Sequence, residues 1–421
     1  MTLPHAFTDV GAGLTPHQRI CLSAFLIDFA VMIGILVLPF YVYNQIGGDA
    51  AMSGTFGACQ AALYAILCLA SAKFVSRAKN GLNWAALGIA IFAVTSVLLP
   101  VFRGAVICCI IATVSMGALA LVWPALHAWV GAEPDVRRRA YHMSWFNISW
   151  SFGFAISPLF AGPLYDYDYR IPFFVLFAAC VPILILLRSL PSDKDYFGVA
   201  TQEVIEARAD HDRASESHLY AAWCATIVGA ALGGVTRTVY PKQIEDLVSA
   251  SQLRILFEDT PSTILTAHAA TKYSWLAFSF AITTAITFLV LGRTHRWQHN
   301  LKLSFGLQLA AAGAFWVLGN TRSLIVMMAC FVIVGVMAGV TFFSSVFYSM
   351  ADPDHKHGRA AINEGAVGIG GFAGSLLFGL LAGRYGLAVP FHYTPVFIVA
   401  ALLLQIILLR HGACKYSAPR E

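Results

Sequence analysis

One acidic side chain lies inside a long apolar run near the start of the sequence. Asp28 follows Ile20, where the run begins, by eight residues, or about 12 Å at a helical rise of 1.5 Å per residue. A carboxylate at such a depth in an apolar environment is costly and is usually retained for a function. The position therefore predicts a site for a proton or a substrate ligand. The alternative is structural, a carboxyl group hydrogen-bonded where two helices meet.

Aromatic and polar side chains recur in several other apolar runs. Aromatic walls suit sugar rings or amphipathic, drug-like molecules, while amides and a histidine offer polar contacts. The alternative for each residue is packing or, in a membrane protein, anchoring at the bilayer surface. The candidate cavity residues are Gln60, Trp123, His127, Trp145, Asn147, Trp150, Tyr273, Phe342 and Asn363.

Motifs of soluble enzymes are absent or misplaced. Residues 368–373 match the GxGxxA pattern of dinucleotide-binding loops, but they lie inside an apolar run with no strand before it. Small residues there indicate close helix packing instead. The sequence contains no phosphate-binding GxxxxGK motif followed by Ser or Thr, no GxSxG and no HExxH. The cysteines fall mainly in apolar runs without metal-ligand spacing. We therefore predict no enzyme activity, no cofactor and no metal site.

These residues belong to a chain of strongly apolar composition. Of its 421 residues, 58% are hydrophobic and 12% are charged, about half the charged fraction of a soluble domain. Each bilayer crossing needs about 20 mainly apolar residues. The sequence thus predicts an all-α polytopic membrane protein with twelve transmembrane helices. The predicted spans are Ile20–Tyr43, Ala51–Ala72, Leu82–Val101, Ala105–Val130, Tyr141–Pro163, Ile171–Leu190, His218–Tyr240, Ile264–Leu291, Lys302–Asn320, Ser323–Ser349, Ala360–Gly383 and Pro390–Arg410.

Lysine and arginine set the expected orientation. With a cytoplasmic N-terminus, nineteen of the 27 basic residues fall in cytoplasmic segments and seven fall outside. The positive-inside rule then predicts that both termini are cytoplasmic, in the cell (inner) membrane. Residues 1–19 lack the pattern of a cleavable signal peptide. Because the basic residues form short clusters between apolar runs, we expect no nucleic-acid partner.

The two halves of the chain repeat. Val42–Ile46 after span 1 matches Val239–Ile244 after span 7, and Ala132–Asp135 after span 4 matches Ala351–Asp354 after span 10. Internal repeats are typical of membrane transporters, in which the site lies at the repeat interface. The predicted units are an N-terminal cytoplasmic segment (1–19), a six-helix bundle (20–190), a cytoplasmic linker (191–217), a second six-helix bundle (218–410) and a cytoplasmic tail (411–421).

Two motifs carry a resemblance to a known family, the major facilitator superfamily. Between spans 2 and 3, Ala72–Gly81 aligns with the family's loop motif GxLADRxGRR, with Arg77 matching outright and Ser76 at the acidic position. In span 5, Gly153–Gly162 aligns with GxxxGPxxGG, a motif of the family's exporters. The chain resembles this family from Ile20 to Arg410. The corresponding helix-packing residues are Gly153, Ser157, Pro158, Ala161 and Gly162.

The resemblance implies a fold and a function. The fold is two six-helix bundles around a central site that opens alternately to each side of the bilayer, and the helices with the aromatic and polar candidates line that site. The function is secondary transport of a small-molecule solute by a monomer, with protons as the expected coupling ion and Asp28 as their carrier. The exporter motif favours efflux of an amphipathic compound. Uptake of a sugar or other metabolite, and a non-transporting receptor or scaffold, are the alternatives.

The resemblance also suggests a cytoplasmic gate. In the family, the acidic residue of the loop lies near the start of span 11, where a negative charge interacts with the positive end of the helix. Because Ser76 carries no charge, we expect Glu364 to replace it and to face Lys73 or Arg77. The alternative is an exposed acid at a helix start. At the end of span 7, Arg237 is expected to extend to the outer headgroups or to line an outer vestibule.

Overall fold

The structure is a computed structural model that describes residues 13–75, 81–133, 136–192, 195–196, 213–255, 268–294, 296–349 and 356–417. Within these ranges the chain is helical, and the only β-type pairing is an isolated bridge between Arg254 and Ser323. Most of the predicted linker at 191–217 lies outside the described residues.

The first six spans are helical, and spans 4 and 5 each consist of two helices. Pro124 and Pro158 lie in the first turns of the second segments, because a proline cannot donate the hydrogen bond that a continuous helix requires. A capping box of Thr15 and Gln18 starts the first helix before the predicted Ile20. The helices are α1 (Pro16–Tyr41), α2 (Ala50–Val75), α3 (Leu82–Leu98), α4 (Ala105–Ala118), α5 (Trp123–Gly131), α6 (Val136–Ile156), α7 (Pro158–Tyr167) and α8 (Ile171–Arg188).

The last six spans form the second half, with a short additional helix after span 7. The helix of span 11 begins at Lys356 and that of span 12 continues to Ser417, while the apolar stretches within them, Ala361–Tyr385 and Val389–His411, lie close to the predicted spans. The helices are α9 (Arg213–Thr238), α10 (Tyr240–Ser249), α11 (Ala269–Leu291), α12 (Leu301–Leu318), α13 (Leu324–Ser349), α14 (Lys356–Tyr385) and α15 (Val389–Ser417).

The described part of the chain contains ten helical stretches that are long and apolar enough to cross a membrane. Two more complete the predicted set: the shorter apolar stretch Lys302–Leu318, and α6 with α7, which the break at Ser157 divides. The predicted all-α architecture with twelve membrane helices is therefore confirmed. Because twelve is an even number, both described chain ends lie on the same face. We call this the terminal face and the opposite one the far face.

Packing between the halves differs along the membrane normal. Towards the terminal face the first half has its own apolar core, which includes Ile27 and Leu126. Towards the far face a single core joins both halves, and the rings of Phe40 in α1 and Tyr273 in α11 lie 5.8 Å apart. The structure is therefore closed on the far face.

Helices α2 and α14 approach each other closely across the boundary between the halves. A Cβ atom on Gly54 would lie 2.8 Å from the Cα of Gly379, and a Cβ atom on Gly379 would lie 2.7 Å from the Cα of Gly54. Real Cβ contacts are not this short, so only glycine fits at either position. Small residues of this kind let two membrane helices bring their backbones together.

The predicted helix-packing residues lie at the contacts of span 5. Gly153 lies against α1, where a Cβ atom would be 3.0 Å from the backbone nitrogen of Phe29. Gly162 lies against α11, where a Cβ atom would be 2.7 Å from the carbonyl carbon of Ala270. Between these two glycines, Ser157, Pro158 and Ala161 are buried. Span 5 thus packs against its own half at one end and against the second half at the other.

Candidate functional site

Asp28 is buried near the middle of α1. It lies twelve residues after Pro16, or about 18 Å of helix rise, and it is 9% exposed. Among the described residues, Glu364 is the only charged group that acts on it electrostatically. Within the part of the chain that the structure describes, the carboxyl group of Asp28 therefore has no neighbouring cation to neutralise it.

Glu364 comes from the other half of the protein. Glu364 lies eight residues after Lys356, where α14 begins, and three residues after Ala361, where the apolar stretch of that helix begins. The hydroxyl of Tyr64 in α2 donates a hydrogen bond of 2.9 Å to its Oε2 atom. This bond joins the two halves, and Tyr64 is a site residue that the sequence analysis did not identify.

His127 adds a titratable group to the same region. Its Nδ1 atom lies 2.8 Å from the carbonyl oxygen of Trp123, which can only accept, so Nδ1 carries the hydrogen. The imidazole is within electrostatic range of Glu364, and its ring packs edge-on against Phe146 at 5.2 Å. The neutral tautomer leaves Nε2 as a hydrogen-bond acceptor.

We call Asp28, Tyr64, His127 and Glu364 the acidic cluster. Its members come from α1, α2, α5 and α14, so neither half alone contains it. Two carboxyl groups that interact in a low-dielectric environment do not both ionise readily. A hydroxyl donor and an imidazole beside the pair provide partners for a proton bound there. The arrangement is suited to binding and releasing a proton, or to binding a cationic group.

Aromatic rings border the contact between the halves. The ring of Trp150 in α6 lies 6.4 Å from that of Trp123, 5.5 Å from that of Phe288 in α11 and 6.2 Å from that of Phe342 in α13. We call these four residues the aromatic bridge. Phe288 is a member that the sequence analysis missed, because a phenylalanine in an apolar span gives no distinguishing signal.

The other predicted cavity residues take different positions. Asn147 accepts a 3.0 Å hydrogen bond from the indole N–H of Trp150 and so orients the aromatic bridge. Asn363 is buried and accepts a hydrogen bond from the hydroxyl of Ser345.

Gln60 donates to the carbonyl of Ala112 within the first half. Tyr273 donates to the carbonyl of Thr236 near the far face, and Trp145 is 46% exposed on the surface of α6.

Part of the predicted cytoplasmic gate lies outside the described residues. The side chain of Lys73, and both Ser76 and Arg77, are not described. Glu364, their expected partner, accepts a hydrogen bond from Tyr64. The pairing of Glu364 with a basic residue of the loop stays a prediction.

Cross-half hydrogen bonds close the far face. The hydroxyl of Tyr43 in the first half donates to the carbonyl of Thr238 in the second. The carboxylate of Asp166 in α7 accepts from the backbone nitrogen of Thr271 at 2.8 Å and from its hydroxyl at 2.6 Å. Asp166 therefore satisfies free N–H and O–H groups in the first turn of α11, as a capping residue does, but from the opposite half.

Arg237 does not extend outwards as expected. Its Nε atom donates a 3.0 Å hydrogen bond to the carbonyl of Gly233, one turn earlier in α9. The guanidinium group therefore turns back along the helix, away from the far face. The residue keeps partial exposure although the surrounding tyrosines, including Tyr240 and Tyr273, are buried.

Comparisons with known proteins agree with this architecture. A family model described as Major Facilitator Superfamily matches residues 20–241, while no curated protein sequence matches the chain. A bacterial homologue of the human lysosomal transporter Spinster, solved in an inward-facing and unoccupied conformation, is similar over 96% of this chain and 99% of its own, with a TM-score of 0.71 and 14% identity. The nucleoside transporter NupG is similar over 94% of this chain and 99% of its own, with a TM-score of 0.67 and 11% identity.

A third similar structure is a transporter of the POT family in complex with a thioalcohol-conjugated peptide. It covers 94% of this chain and 96% of its own, with a TM-score of 0.71 and 12% identity. What this chain shares with the three structures is the fold, a multi-pass arrangement of membrane helices. Because the family model covers more than half of the sequence, the chain belongs to the Major Facilitator Superfamily.

Proposed function

We propose that the protein is a proton-coupled secondary transporter that exports an amphipathic solute. The acidic cluster carries the coupling proton, and the aromatic bridge contacts the apolar part of the solute. One observation carries the proposal: Tyr64 of one half is bonded to Glu364 of the other beside the buried Asp28. A proton site at a boundary between moving halves is coupled to their movement.

The chemistry follows from the charges of the cluster. With Asp28 and Glu364 close together, a bound proton removes the repulsion between two carboxylates. A positively charged group of the solute removes the same repulsion, so solute and proton compete for the site. Binding of one releases the other, which is the exchange that an antiporter needs. This scheme favours solutes that carry a positive charge.

The movement follows from the contacts between the halves. Alternating access in such folds is largely rigid-body rocking of one bundle against the other. Opening of the far face has to break the hydrogen bonds of Tyr43 and Asp166. Opening of the terminal face has to separate Trp150 from Phe342 and Tyr64 from Glu364. Since one chain supplies both halves of the site, the transporter functions as a monomer.

Purified protein in proteoliposomes tests this proposal. A panel of labelled amphipathic cations, neutral amphipathic compounds and sugars is assayed by counterflow, and proton movement is followed with an internal pH dye. We expect amphipathic cations to exchange and to drive proton flux in the opposite direction. Counterflow of sugars alone would favour the uptake alternative, and no counterflow of any solute by folded protein would favour a receptor or scaffold.

The orientation has its own test. We propose that the terminal face is cytoplasmic and lies in the cell membrane, because basic residues are concentrated on that side. A cysteine introduced by Ser215→Cys is expected to react with a membrane-impermeant thiol reagent only after the cells are permeabilised. The parent protein, with its native cysteines, is the control. Equal labelling of Ser215→Cys in intact cells would reverse the assigned orientation.

A further inference from the structure

Arg237 is a charged group inside the membrane domain that the proton chemistry does not use. Among the described residues, its hydrogen-bond acceptor is the carbonyl of Gly233, and no carboxylate lies within ion-pair distance. Tyr273 is the titratable side chain within electrostatic range of it. A guanidinium always carries its charge and has five N–H donors, so several donors remain unused here.

The surroundings of Arg237 join both halves near the far face. Its neighbours in sequence accept hydrogen bonds from Tyr273 in the second half and from Tyr43 in the first. The residue keeps partial exposure within this otherwise buried region. A guanidinium with unused donors is well suited to a planar carboxylate, which it binds through two parallel hydrogen bonds.

Arg237 and the acidic cluster lie at different levels of the same interface. Phe40 contacts Tyr273 next to Arg237, and Asp28 precedes Phe40 by twelve residues, or about 18 Å of rise. The side chain of Arg237 turns back by one helical turn, about 5 Å, which leaves about 13 Å along the helix axis between the two charged regions. Two hydrogen bonds of about 3 Å each leave about 7 Å for the solute itself.

We propose that Arg237 binds the carboxylate of a zwitterionic solute whose cationic group lies at the acidic cluster. This inference rests on the proposed transport function, because it names the substrate class of that site. It assigns opposite charges to the two ends of the solute, with an aromatic or apolar body between them. The competing explanation is structural: Arg237 lies in the last turn of α9, where a cation stabilises the negative end of the helix.

Two matched probes separate these explanations. 4-(Aminomethyl)benzoate is a rigid aromatic zwitterion, and 4-(aminomethyl)benzamide keeps its shape and its amine but lacks the negative charge. Binding to full-length purified protein is measured as the concentration dependence of its thermal stabilisation. We expect the benzoate to bind wild type about ten- to a hundredfold more tightly than the benzamide, since a charged hydrogen-bond pair is lost. Failure of wild type to bind the benzoate, or to prefer it, overturns the proposal.

Variants then test whether the preference for the benzoate depends on Arg237. Arg237→Gln should bind the two probes equally, and Arg237→Lys should keep part of the preference for the benzoate. Arg384→Gln is the matched control, because Arg384 also lies in the last turn of a membrane helix but is exposed. If Arg237→Gln is unstable, Arg237→Lys and the comparison of the two probes on wild type still test whether Arg237 binds the carboxylate. A full preference for the benzoate in Arg237→Gln assigns the residue to helix stabilisation.

Asp28→Asn distinguishes this inference from the proposed function. The variant should retain the preference for the benzoate over the benzamide, because Arg237 is remote from the changed group. Absence of proton coupling in the wild type, with its preference for the benzoate intact, would refute the coupling mechanism and leave the carboxylate site standing. Proton coupling by the wild type without this preference would refute the carboxylate site and leave the coupling mechanism standing.

Discussion

Asp28→Asn is expected to abolish proton-driven accumulation of the solute while leaving solute exchange in place. Asparagine keeps the size and the hydrogen-bonding capacity of the side chain, but it cannot take up or release a proton. The accumulation ratio under a pH gradient should fall at least about tenfold, which corresponds to about 1.4 kcal/mol of lost coupling. Counterflow without a gradient should persist, because binding and the movement of the halves do not require the proton to be exchanged.

Both quantities are measured in proteoliposomes with the solute that the counterflow panel identifies. Asp246→Asn is the control: it removes an acid that is 53% exposed at the side chain and pairs with Lys242 at the far face. That variant should accumulate solute like wild type. Full accumulation by Asp28→Asn would show that Asp28 is structural, and loss of both accumulation and counterflow would contradict the expectation that solute exchange survives without this carboxylate.

Gly54→Val is expected to prevent closure of the far face and to stop transport. Any Cβ atom at position 54 would lie 2.5 Å from the carbonyl oxygen of Ser375 and 2.8 Å from the Cα of Gly379. Both contacts are backbone atoms of α14, so no side-chain rotation relieves them. Overpacking of this kind costs about 1–3 kcal/mol, enough to shift an equilibrium between two conformations by about five- to 150-fold. The variant should therefore favour the conformation that is open on the far face.

Transport and accessibility are measured together in this variant. If the cost of overpacking lies near about 3 kcal/mol, the solute flux should fall at least about tenfold. A reporter introduced by Thr238→Cys, a position that is buried beside Gly57 of the opposite half, should become reactive to a water-soluble thiol reagent. Gly313→Val is the matched control, because a Cβ atom there meets nothing within 4 Å. Normal transport by Gly54→Val, with an unreactive reporter, would contradict the assignment of this contact to the far gate.

The structure changed the interpretation of Glu364. The sequence analysis started span 11 at Ala360, which placed Glu364 one turn from the start of the span and made it a gate residue. The apolar stretch does begin at Ala361, although the helix begins at Lys356, and Glu364 is bonded to Tyr64 and interacts electrostatically with Asp28. Hydropathy cannot detect this difference, because polar residues such as Lys356, His357 and Arg359 lower the local average without ending the helix.

The members of the acidic cluster differed in how readily they could be found. Asp28 could be identified because a lone carboxylate within an apolar run has a direct energetic cost. Tyr64 could not, because a tyrosine in a membrane span usually packs or anchors at an interface. The sequence could not predict the orientation of the Arg237 side chain either, since an arginine at this position can extend to the headgroups or turn back along the helix.

Hydropathy, charge placement and the internal repeat determined the membrane class, the twelve spans, the family resemblance and the importance of Asp28. These properties are sums over local stretches of chain, and a bilayer imposes them on every span in the same way. The tertiary structure alone decided which side chains meet. Tyr64 and Glu364 are 300 residues apart in the chain, and their contact depends on how α2 and α14 are packed and rotated. That packing comes from the complementary fit of small residues such as Gly54 and Gly379, and a sequence pattern cannot specify it because the same glycines fit many helix pairs.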